Sequence, residues 1–487
     1  MIFNSIQYLI FFAFAVLITA SLAKRRLQLS FLLFASYLVY FFLGGYYIFS
    51  LFFVSGITFY CGEAIYRSSD SNGKKFYLFL ALLGTLGQLA LFKYPEIPLG
   101  IFKQISLANS FGVPPDSNFL LPIGISFYTF QSLSYVLDIY RSRLKPASSL
   151  IEYCLFVAFF PQITSGPIIR AKNFLTQLND KAHLEITSQN LKYGITLIGI
   201  GLAKKMVLAD NIAPYADSVF SHPTYYNSLR IILATLAFGI QLYCDFSGYS
   251  DMAIGSARIL GFIYPANFNN PYLSVNPSDF WRRWHISLSS FLRDYLYISL
   301  GGNRKGPLRN HVNIMITMAL CGLWHGGTWN FLIWGIYHGC LLSAHRLFAG
   351  SFLSERLAGL TKRRAWLPVQ VLTTQYFIFL GWLIFRVENL NDLTYCVEKF
   401  IFWDFLARIH YGELVYGFLK ETSFIISIFI LYIIFIIMYR NRFCETDWIG
   451  YLSSMKLRYW LIYLIAIILM VTWFSPGTGS NFIYSAF

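Results

Sequence analysis

Apolar segments long enough to cross a lipid bilayer recur along the whole of this 487-residue chain. A transmembrane helix needs about 20 consecutive and mostly apolar residues, and only helices or closed barrels satisfy their backbone groups inside a bilayer. The segments lie near residues 6–23, 28–43, 45–66, 76–93, 119–137, 150–164, 191–209, 229–246, 311–322, 329–348, 368–386, 422–439 and 458–475. Only 13% of the residues are charged, about half the share found in soluble domains. The sequence therefore predicts an all-α polytopic membrane protein and excludes the soluble, disordered, fibrous and disulfide-stapled classes.

Several of these segments are shorter than a full crossing or are interrupted by glycine, proline or charge. We therefore expect roughly ten to twelve transmembrane helices, together with re-entrant or interfacial helices. Residues 1–487 are predicted to form one integral-membrane domain, whose core at about 119–345 mixes polar residues into membrane-like sequence. The flanks, 1–118 and 366–487, are predicted to be plainer helices. No internal repeat is visible in the sequence, so an inverted-repeat transporter has no support.

The positive charge of the chain follows its predicted topology. There are 38 Lys and Arg residues against 23 Asp and Glu, a formal net charge of +15. Many of the basic residues form short clusters between apolar segments, at Lys24–Arg26, Lys74–Lys75, Lys204–Lys205 and Lys362–Arg364. This is the positive-inside pattern of membrane proteins, so we expect no nucleic-acid partner. Because no basic residue precedes the first segment, the N-terminus is predicted to lie outside the cytoplasm.

The stretch Asn276–Leu296 is predicted to form an amphipathic helix. Pro277 and Ser278 suit its start. Apolar residues then recur at helical spacing, at Trp281, Trp284, Leu288, Phe291 and Tyr295. Arginines lie on the other side, and His285 lies at the edge of the apolar stripe. This pattern is typical of a helix that lies at an interface or dips into the membrane, although a cytoplasmic connector with a bystander histidine has the same pattern.

The stretch Ala319–Gly339 places His325 inside an apolar segment, where a histidine is costly and points to function. Gly326 and Gly327 follow it and permit close approach of a backbone or a ligand. A neutral imidazole can take a proton from a hydroxyl and later return it, which suits acyl transfer to an alcohol. The alternative is a packing histidine bonded to a neighbouring carbonyl. His338 and His345 share one helix face and are interpreted as interfacial or packing residues.

Two further regions are polar or rich in small residues. In Gln241–Asp251, Asp245 and its neighbours are predicted either to line a polar cavity or to pair with Arg282 or Arg283, since buried charges need partners. The segments Leu121–Gln131 and Phe159–Pro167 are predicted to be sites of close helix packing. No H-E-x-x-H, P-loop or G-x-G-x-x-G motif occurs in the sequence, so no metal site, nucleotide hydrolysis or Rossmann fold is predicted.

Several motifs, taken together, match one family. They are Trp281–Ser289, Arg293–Tyr297, Gly301–Lys305, Leu323–Gly326, Leu121–Arg141, Phe159–Arg170, Tyr243–Asp251 and the C-terminal Phe482–Tyr484. In this combination the chain resembles the membrane-bound O-acyltransferase family, and within it the branch that acetylates alginate, peptidoglycan and other exopolysaccharides. The resemblance implies acyl transfer from a cytoplasmic thioester, through a central tunnel in the membrane, towards an acceptor on the far side.

The resemblance also implies roles for individual residues. The near-invariant histidine of the family falls on His325, as general base, and the second histidine of this branch falls on His285, at the cytoplasmic mouth. Candidate substrate contacts are Trp324, Trp281, Arg282, Arg283, Tyr243, Asp245 and Asn330. Arg282 and Arg283 would attract an anionic donor. No bound cofactor is expected, and acetyl-CoA is the implied acyl donor.

The expected protein is a multi-pass acetyltransferase of the bacterial inner membrane that serves a cell-surface polysaccharide. By resemblance, a separate extracytoplasmic SGNH-type transferase would pass the acetyl group to the sugar. One alternative is transfer of D-alanine from a carrier-protein thioester to teichoic acid, although the chain continues well past Arg386, further than expected of that shorter relative. Another is a transporter in which His325 relays protons.

Overall fold

The computed structural model describes residues 5–94, 121–163, 166–179, 186–361, 363, 366–403 and 448–476. Within these ranges the regular secondary structure is helical, and no strand occurs. The predicted all-α class is therefore confirmed. The predicted segment 422–439 and the C-terminal motif Phe482–Tyr484 lie outside the described residues.

The helices follow the apolar segments closely. In the first part of the chain they are α1 (Ile6–Ser21), α2 (Arg25–Gly44), α3 (Ile48–Arg67), α4 (Ser71–Lys93), α5 (Ile125–Tyr140), α6 (Leu150–Ala158), α7 (Ala171–Asn179), α8 (Ser188–Leu202), α9 (Asp210–Ser221) and α10 (Ser228–Ile259). The later helices are α11 (Pro277–Arg283), α12 (Ile286–Phe291), α13 (Pro307–His325), α14 (Trp329–Ala349), α15 (Phe352–Thr361), α16 (Leu367–Arg386), α17 (Leu390–Ile401), α18 (Trp448–Ser454) and α19 (Leu457–Phe474). Two π-helical turns, Ala203–Ala209 and Leu292–Tyr297, continue α8 and α12.

Five described segments are long and apolar enough to cross a membrane. They are Arg25–Arg67, which holds both α2 and α3, Ser71–Lys93, Ser228–Ile259, Leu367–Arg386 and Leu457–Phe474. The first predicted crossing is shorter than expected, because α1 has only 16 residues and a helix of that length spans roughly 24 Å. The chain is thus a multi-pass membrane protein. The predicted ten to twelve crossings refer to the whole chain and stay a prediction.

The chain divides into two compact units, and the prediction of a single domain stays a prediction. The first unit contains the described residues up to Ile198 together with Tyr249–Pro265. In it, α3 packs against α4 and α5, and α2 packs against α6. Side chains 125–136 and 155–163 are buried throughout, which confirms close packing at these two predicted segments.

The second unit contains Gly199–Gly248 and the described residues from Ala266 onward. Its most extensive contact is the antiparallel pair α13 and α14. The two backbones touch where they cross, because a Cβ at Gly322 or Gly335 would collide with a carbonyl oxygen of the other helix. Helices α11 and α16 both pack against α14. His325 ends α13 of this group, and His285 follows two residues after the end of α11.

Candidate functional site

His325 is the last residue of α13 and is enclosed by aromatic rings. Its side chain is only 3% exposed. The imidazole makes edge contacts with Trp334 of α14 and Phe385 of α16, at ring-centre distances of 5.0 and 5.1 Å. The space beside Gly326 is filled by the ring of Phe331, which would collide with any Cβ there. The sequence predicted that a backbone or a ligand approaches closely at Gly326 and Gly327. At Gly326 the group that approaches closely is the side chain of Phe331.

His285 lies at a break in the predicted amphipathic helix. The prediction of one continuous helix is wrong, because α11 ends at Arg283 and α12 begins at Ile286. Between them His285 has the left-handed backbone angles φ 42° and ψ 56°, a conformation that is uncommon outside glycine. A separate loop packs at this break, where the carbonyl of Asn267 accepts a hydrogen bond from the Ile286 amide at 2.8 Å.

Four of the five residues of the apolar stripe predicted for this stretch are nevertheless buried. Trp284, Leu288, Phe291 and Tyr295 are each at most 8% exposed, whereas Trp281 is half-buried. Asn276 caps the first helix by accepting a hydrogen bond from the Asp279 amide at 2.8 Å, and Pro277 is its first residue. The start of the helix and its buried face were thus predicted correctly, while its continuity was not.

Asn267 fixes the protonation pattern of His285. Its Oδ1 accepts hydrogen bonds from the backbone amide and the hydroxyl of Ser287, at 3.2 and 2.9 Å. Because that atom is an acceptor and the Ser287 hydroxyl, which also lies 3.4 Å from the His285 Nδ1, donates to it, the arrangement favours the tautomer in which Nδ1 donates to Asn267 Oδ1 at 3.3 Å. Burial lowers the pKa of His285 to about 3, so the ring is neutral at pH 7. Its Nε2 therefore carries a lone pair, and it has no partner among the described residues.

Three buried histidines form a row in which each is separated from the next by one tryptophan. Along this imidazole–indole row, the ring centres of His285 and Trp324 are 6.3 Å apart, and those of Trp324 and His325 are 4.7 Å apart. Trp334 lies 5.0 Å from His325 and 4.8 Å from His338. The structure thus brings together the two predicted histidines and adds His338, which was predicted only as a packing or interfacial residue.

A cavity of about 430 Å³ opens beside one end of this row. Three arginines line it, Arg282, Arg293 and Arg346. Arg293 is paired with Asp294 at 2.7 Å, whereas Arg282 is exposed and makes no ion pair within the described residues. The apolar part of the wall includes Ile314, Met318 and Leu342. The cavity can therefore hold a molecule with a negatively charged end and an apolar or neutral chain.

Two predicted substrate contacts differ in their relation to this cavity. Trp281 lines it, and its indole also touches Trp334 and His338, at 5.8 and 5.2 Å. Trp281 therefore separates the cavity from the imidazole–indole row. Arg283 does not line the cavity, because its guanidinium pairs with Asp279 at 2.9 Å.

The prediction that Asp245 pairs with Arg282 or Arg283 is wrong. Asp245 is paired with Lys205 at 2.8 Å, and the same ammonium contacts Asp210 at 2.8 Å. Lys205 is completely buried, so it is not part of a basic loop at the membrane surface as the Lys204–Lys205 cluster suggested. Tyr243, two residues before Asp245, packs its ring 6.3 Å from that of Trp284.

Asn330 is occupied by contacts within the protein. Its amide nitrogen donates to the carbonyl of Phe385 at 2.9 Å, which ties the start of α14 to the end of α16. The structure thus gives Asn330 a packing contact and no access to the cavity. Within the described ranges, no cluster of three or more His, Cys, Asp or Glu side chains could hold a metal ion.

Sequence reasoning missed Asn267, Arg346, the buried position of Lys205 and two of the tryptophans around His338, Trp334 and Trp382. Asn267 lies 18 residues before His285, and nothing in a helical periodicity links the two. Trp334 could have been recognised from the sequence, because it lies four residues before His338 on the same helix face. The burial of Lys205 was not expected, because a lysine next to a second lysine resembles a basic cluster at the membrane surface.

Comparison with known proteins agrees with the resemblance seen in the sequence. The model of the membrane-bound O-acyltransferase family matches residues 140–384. A probable alginate O-acetylase of Azotobacter vinelandii is 43% identical over 319 residues, which cover 65% of this chain and 60% of that protein. The chain thus spans about 60% of the length of this relative.

Two further relatives are named for peptidoglycan and for teichoic acid. A peptidoglycan O-acetyltransferase of Helicobacter pylori is 34% identical over 383 residues, covering 74% of this chain and 71% of that protein. A teichoic acid D-alanyltransferase of Bacillus subtilis is 30% identical over 286 residues, covering 56% of this chain and 70% of that protein.

Proposed function

Because this chain belongs to the membrane-bound O-acyltransferase family, we propose that it transfers an acetyl group from a cytoplasmic thioester towards a cell-surface polysaccharide. One observation supports acetyl transfer. The relatives named for O-acetylation are 43% and 34% identical to this chain, against 30% for the one named for D-alanyl transfer. Membership of the family removes the support for a transporter.

The observation that carries the proposal is the buried imidazole of His325 at the centre of the imidazole–indole row. His325 would take the proton of the acceptor hydroxyl while the hydroxyl oxygen forms a bond to the acyl carbon. The carbon–sulfur bond of the thioester then breaks, and the imidazolium returns the proton to the departing thiolate. Histidine suits this task because it exchanges protons near neutral pH without large perturbation. The enclosing rings exclude water that would hydrolyse the thioester.

His285 has a different capability, which follows from its fixed tautomer. Its Nε2 lone pair can accept a hydrogen bond but cannot donate one, because Asn267 holds the proton-bearing Nδ1. It can therefore hold an acceptor hydroxyl or an amide N–H of the donor, and not the thioester carbonyl. We assign His285 to positioning one of these groups beside His325.

The arginine-lined cavity supports an anionic donor such as acetyl-CoA. Arg282 and Arg346 offer guanidinium groups to phosphate, which they bind with two parallel hydrogen bonds. The apolar wall would cover the neutral part of the donor, and Trp281 lies between this wall and the histidines. We further propose that the protein lies in the inner membrane with its N-terminus outside the cytoplasm. An extracytoplasmic SGNH-type transferase would then complete the transfer to the polysaccharide.

Acetyl transfer by purified protein tests this proposal. The protein in lipid nanodiscs would be given [1-¹⁴C]acetyl-CoA or a carrier protein loaded with D-[¹⁴C]alanine, and release of label from each thioester would be measured. We expect turnover of acetyl-CoA by the wild type and turnover at least about 100-fold slower by His325→Gln. Turnover of the D-alanyl carrier alone would move the assignment to teichoic acid D-alanylation.

A further inference from the structure

We propose that Tyr297 and Asn310 hold the guanidinium of Arg346 in the orientation that binds a phosphate of the acyl donor, so that Arg346 selects donors that carry phosphate. This inference rests on the proposed function, which places an anionic donor in the arginine-lined cavity, and it names the group that is recognised there. Tyr297 and Asn310 act through Arg346 and are therefore positioning residues.

Three separate segments of the chain meet at the guanidinium of Arg346. Arg346 lies near the end of α14, Tyr297 ends the π-helical turn that follows α12, and Asn310 lies in the first turn of α13. Arg346 and Tyr297 both line the cavity of about 430 Å³. The contact between the three residues is therefore made at the cavity wall, where a ligand has room.

Hydrogen bonds fix the orientation of the guanidinium. The Nη1 of Arg346 donates to the Oδ1 of Asn310 at 2.6 Å and to the hydroxyl of Tyr297 at 3.2 Å. The Tyr297 hydroxyl in turn donates to the same Oδ1 at 2.6 Å. The guanidinium carbon also lies 5.9 Å from the centre of the Tyr297 ring, which is a cation–π contact. Both hydrogens of Nη1 are thus used within the protein.

The other edge of the guanidinium is left for a ligand. An arginine has five N–H donors, so the two on Nη1 leave one on Nε and two on Nη2. Within the described residues, the hydrogen bonds of the Arg346 side chain are all made by Nη1. Nε–H and one Nη2–H point the same way along one edge of the planar group. Two donors in this arrangement match two oxygens of a phosphate.

The charge of Arg346 is not compensated by the groups that hold it, because a phenol and an amide are neutral. Arg293, on the same cavity wall, shows the opposite case. Its Nε and one terminal nitrogen bind the two carboxylate oxygens of Asp294 at 2.7 and 3.3 Å, so that edge and its charge are both occupied. Arg346 combines a fixed orientation with an available charge, and a group fixed in advance loses less entropy when a ligand binds.

The chemistry of the wall selects phosphate on a neutral chain as the ligand. No Asp or Glu is among the described residues that line the cavity, and Ile314, Met318 and Leu342 supply its apolar part. Coenzyme A and carrier-bound thioesters both place a phosphate at the end of a pantetheine chain. Because Trp281 lies between this cavity and the histidines, the phosphate would bind away from the reacting bond and contribute equally to substrate and transition-state binding.

Steady-state kinetics with and without a donor phosphate test this recognition. Transfer by protein in nanodiscs would be measured from acetyl-CoA and from S-acetylpantetheine, which has the same thioester and no phosphate. We expect Arg346→Gln to raise KM for acetyl-CoA about 10-fold or more with kcat unchanged, and to leave kcat/KM for S-acetylpantetheine as in the wild type. The control is Arg356→Gln, which changes an exposed arginine of α15 outside the cavity.

S-acetyl-4′-phosphopantetheine distinguishes the phosphates of the donor. It should match acetyl-CoA in its response to Arg346→Gln if the phosphate next to pantetheine is bound. It should match S-acetylpantetheine if a nucleotide phosphate is bound. Equal kcat/KM of the wild type for all three donors would overturn the inference.

Substitutions of the two positioning residues test how Arg346 is held. Tyr297→Phe removes only the hydroxyl and should raise KM for acetyl-CoA about 3- to 10-fold, with no further increase when it is added to Arg346→Gln. Asn310→Asp keeps an acceptor at the same position but compensates the guanidinium charge, so it should raise KM although the contact is retained. Tyr337→Phe is the control, since its hydroxyl donates to the carbonyl of Phe377 at 2.8 Å. Full additivity of Tyr297→Phe and Arg346→Gln would contradict the positioning role.

Binding of coenzyme A without turnover, measured by isothermal titration calorimetry, separates the two proposals. We expect Arg346→Gln to bind coenzyme A about 10-fold more weakly than the wild type. If the wild type transfers acetyl from acetyl-CoA while Arg346→Gln and Asn310→Asp keep its KM and its affinity, the phosphate site is wrong and the proposed function stands. If the wild type binds coenzyme A through Arg346 but transfers acetyl from none of these donors, the proposed function is overturned and the phosphate site stands.

Discussion

Replacing Lys205 should be among the most destabilising single changes in the second unit. The Lys205 ammonium lies 2.8 Å from a carboxylate oxygen of both Asp210 and Asp245. All three side chains are at most 1% exposed. Lys205→Met keeps much of the apolar stem and removes the charge, so two buried carboxylates lose the ammonium between them.

The expected magnitude follows from burial. Removing one partner of a buried ion pair typically costs about 3–5 kcal/mol of folding free energy, because the remaining charge stays desolvated. The matched control is Arg67→Met, which breaks the 3.0 Å pair with Glu63 on α3, where the arginine is 79% exposed. Exposed pairs of this kind contribute at most about 1 kcal/mol.

Thermal unfolding in detergent, followed by tryptophan fluorescence, would compare the two variants with the wild type. We expect a clearly lower midpoint temperature for Lys205→Met and little change for Arg67→Met. Adding Asp245→Asn to Lys205→Met should recover part of the loss, since one buried charge is removed. Equal midpoints for Lys205→Met and the wild type would refute the argument that this ion pair network holds α10 against the π-helical turn.

Three further outcomes are expected. Asn267→Ala should lower kcat by about 10-fold or more, because His285 loses the acceptor that fixes its tautomer; an unchanged pH–rate profile and kcat would contradict this. Arg282→Gln should raise KM for acetyl-CoA with little change in kcat, measured by steady-state kinetics, and an unchanged KM would remove Arg282 from donor binding. In a cysteine-free background, a cysteine that replaces Asn4 should react with an impermeant maleimide added outside the cell. A cysteine that replaces Ser69 should react only after permeabilisation. The reverse pattern would refute the proposed orientation.

Helix positions and buried faces could be predicted from the sequence because they depend on local periodicity. Apolar runs and the spacing of Trp284, Leu288 and Phe291 fix which side of a helix is buried, whichever partner covers it. The break at His285 could not be predicted in this way. It depends on hydrogen bonds that the backbone carbonyl and the Oδ1 of Asn267 accept from Ile286 and Ser287. Asn267 lies in a separate loop, and tertiary contacts of this kind override local propensity.

The candidate site could also be predicted only in part. His325 and His285 were proposed because a histidine is unusual in an apolar segment and because the motifs resemble those of a family. Both signals are properties of short motifs. The buried ion pairs of Lys205 and the tryptophan contacts of His338 depend on which helices meet in three dimensions. A lysine next to a second lysine resembles a surface cluster, and a histidine on an aromatic helix face resembles a packing residue, until burial and partners are known.

The central claim is that His325 is the base that activates the acceptor hydroxyl. The most direct measurement is the rate of acetyl transfer from [1-¹⁴C]acetyl-CoA by His325→Gln and, as control, by the same change at the exposed His222. A positioned general base typically accelerates a reaction about 10²–10⁴-fold, so the transfer rate of His325→Gln should fall by at least about 100-fold. The amount of this variant in the membrane and its unfolding midpoint should match those of the wild type. Near-normal transfer by a well-folded His325→Gln protein would contradict the mechanism.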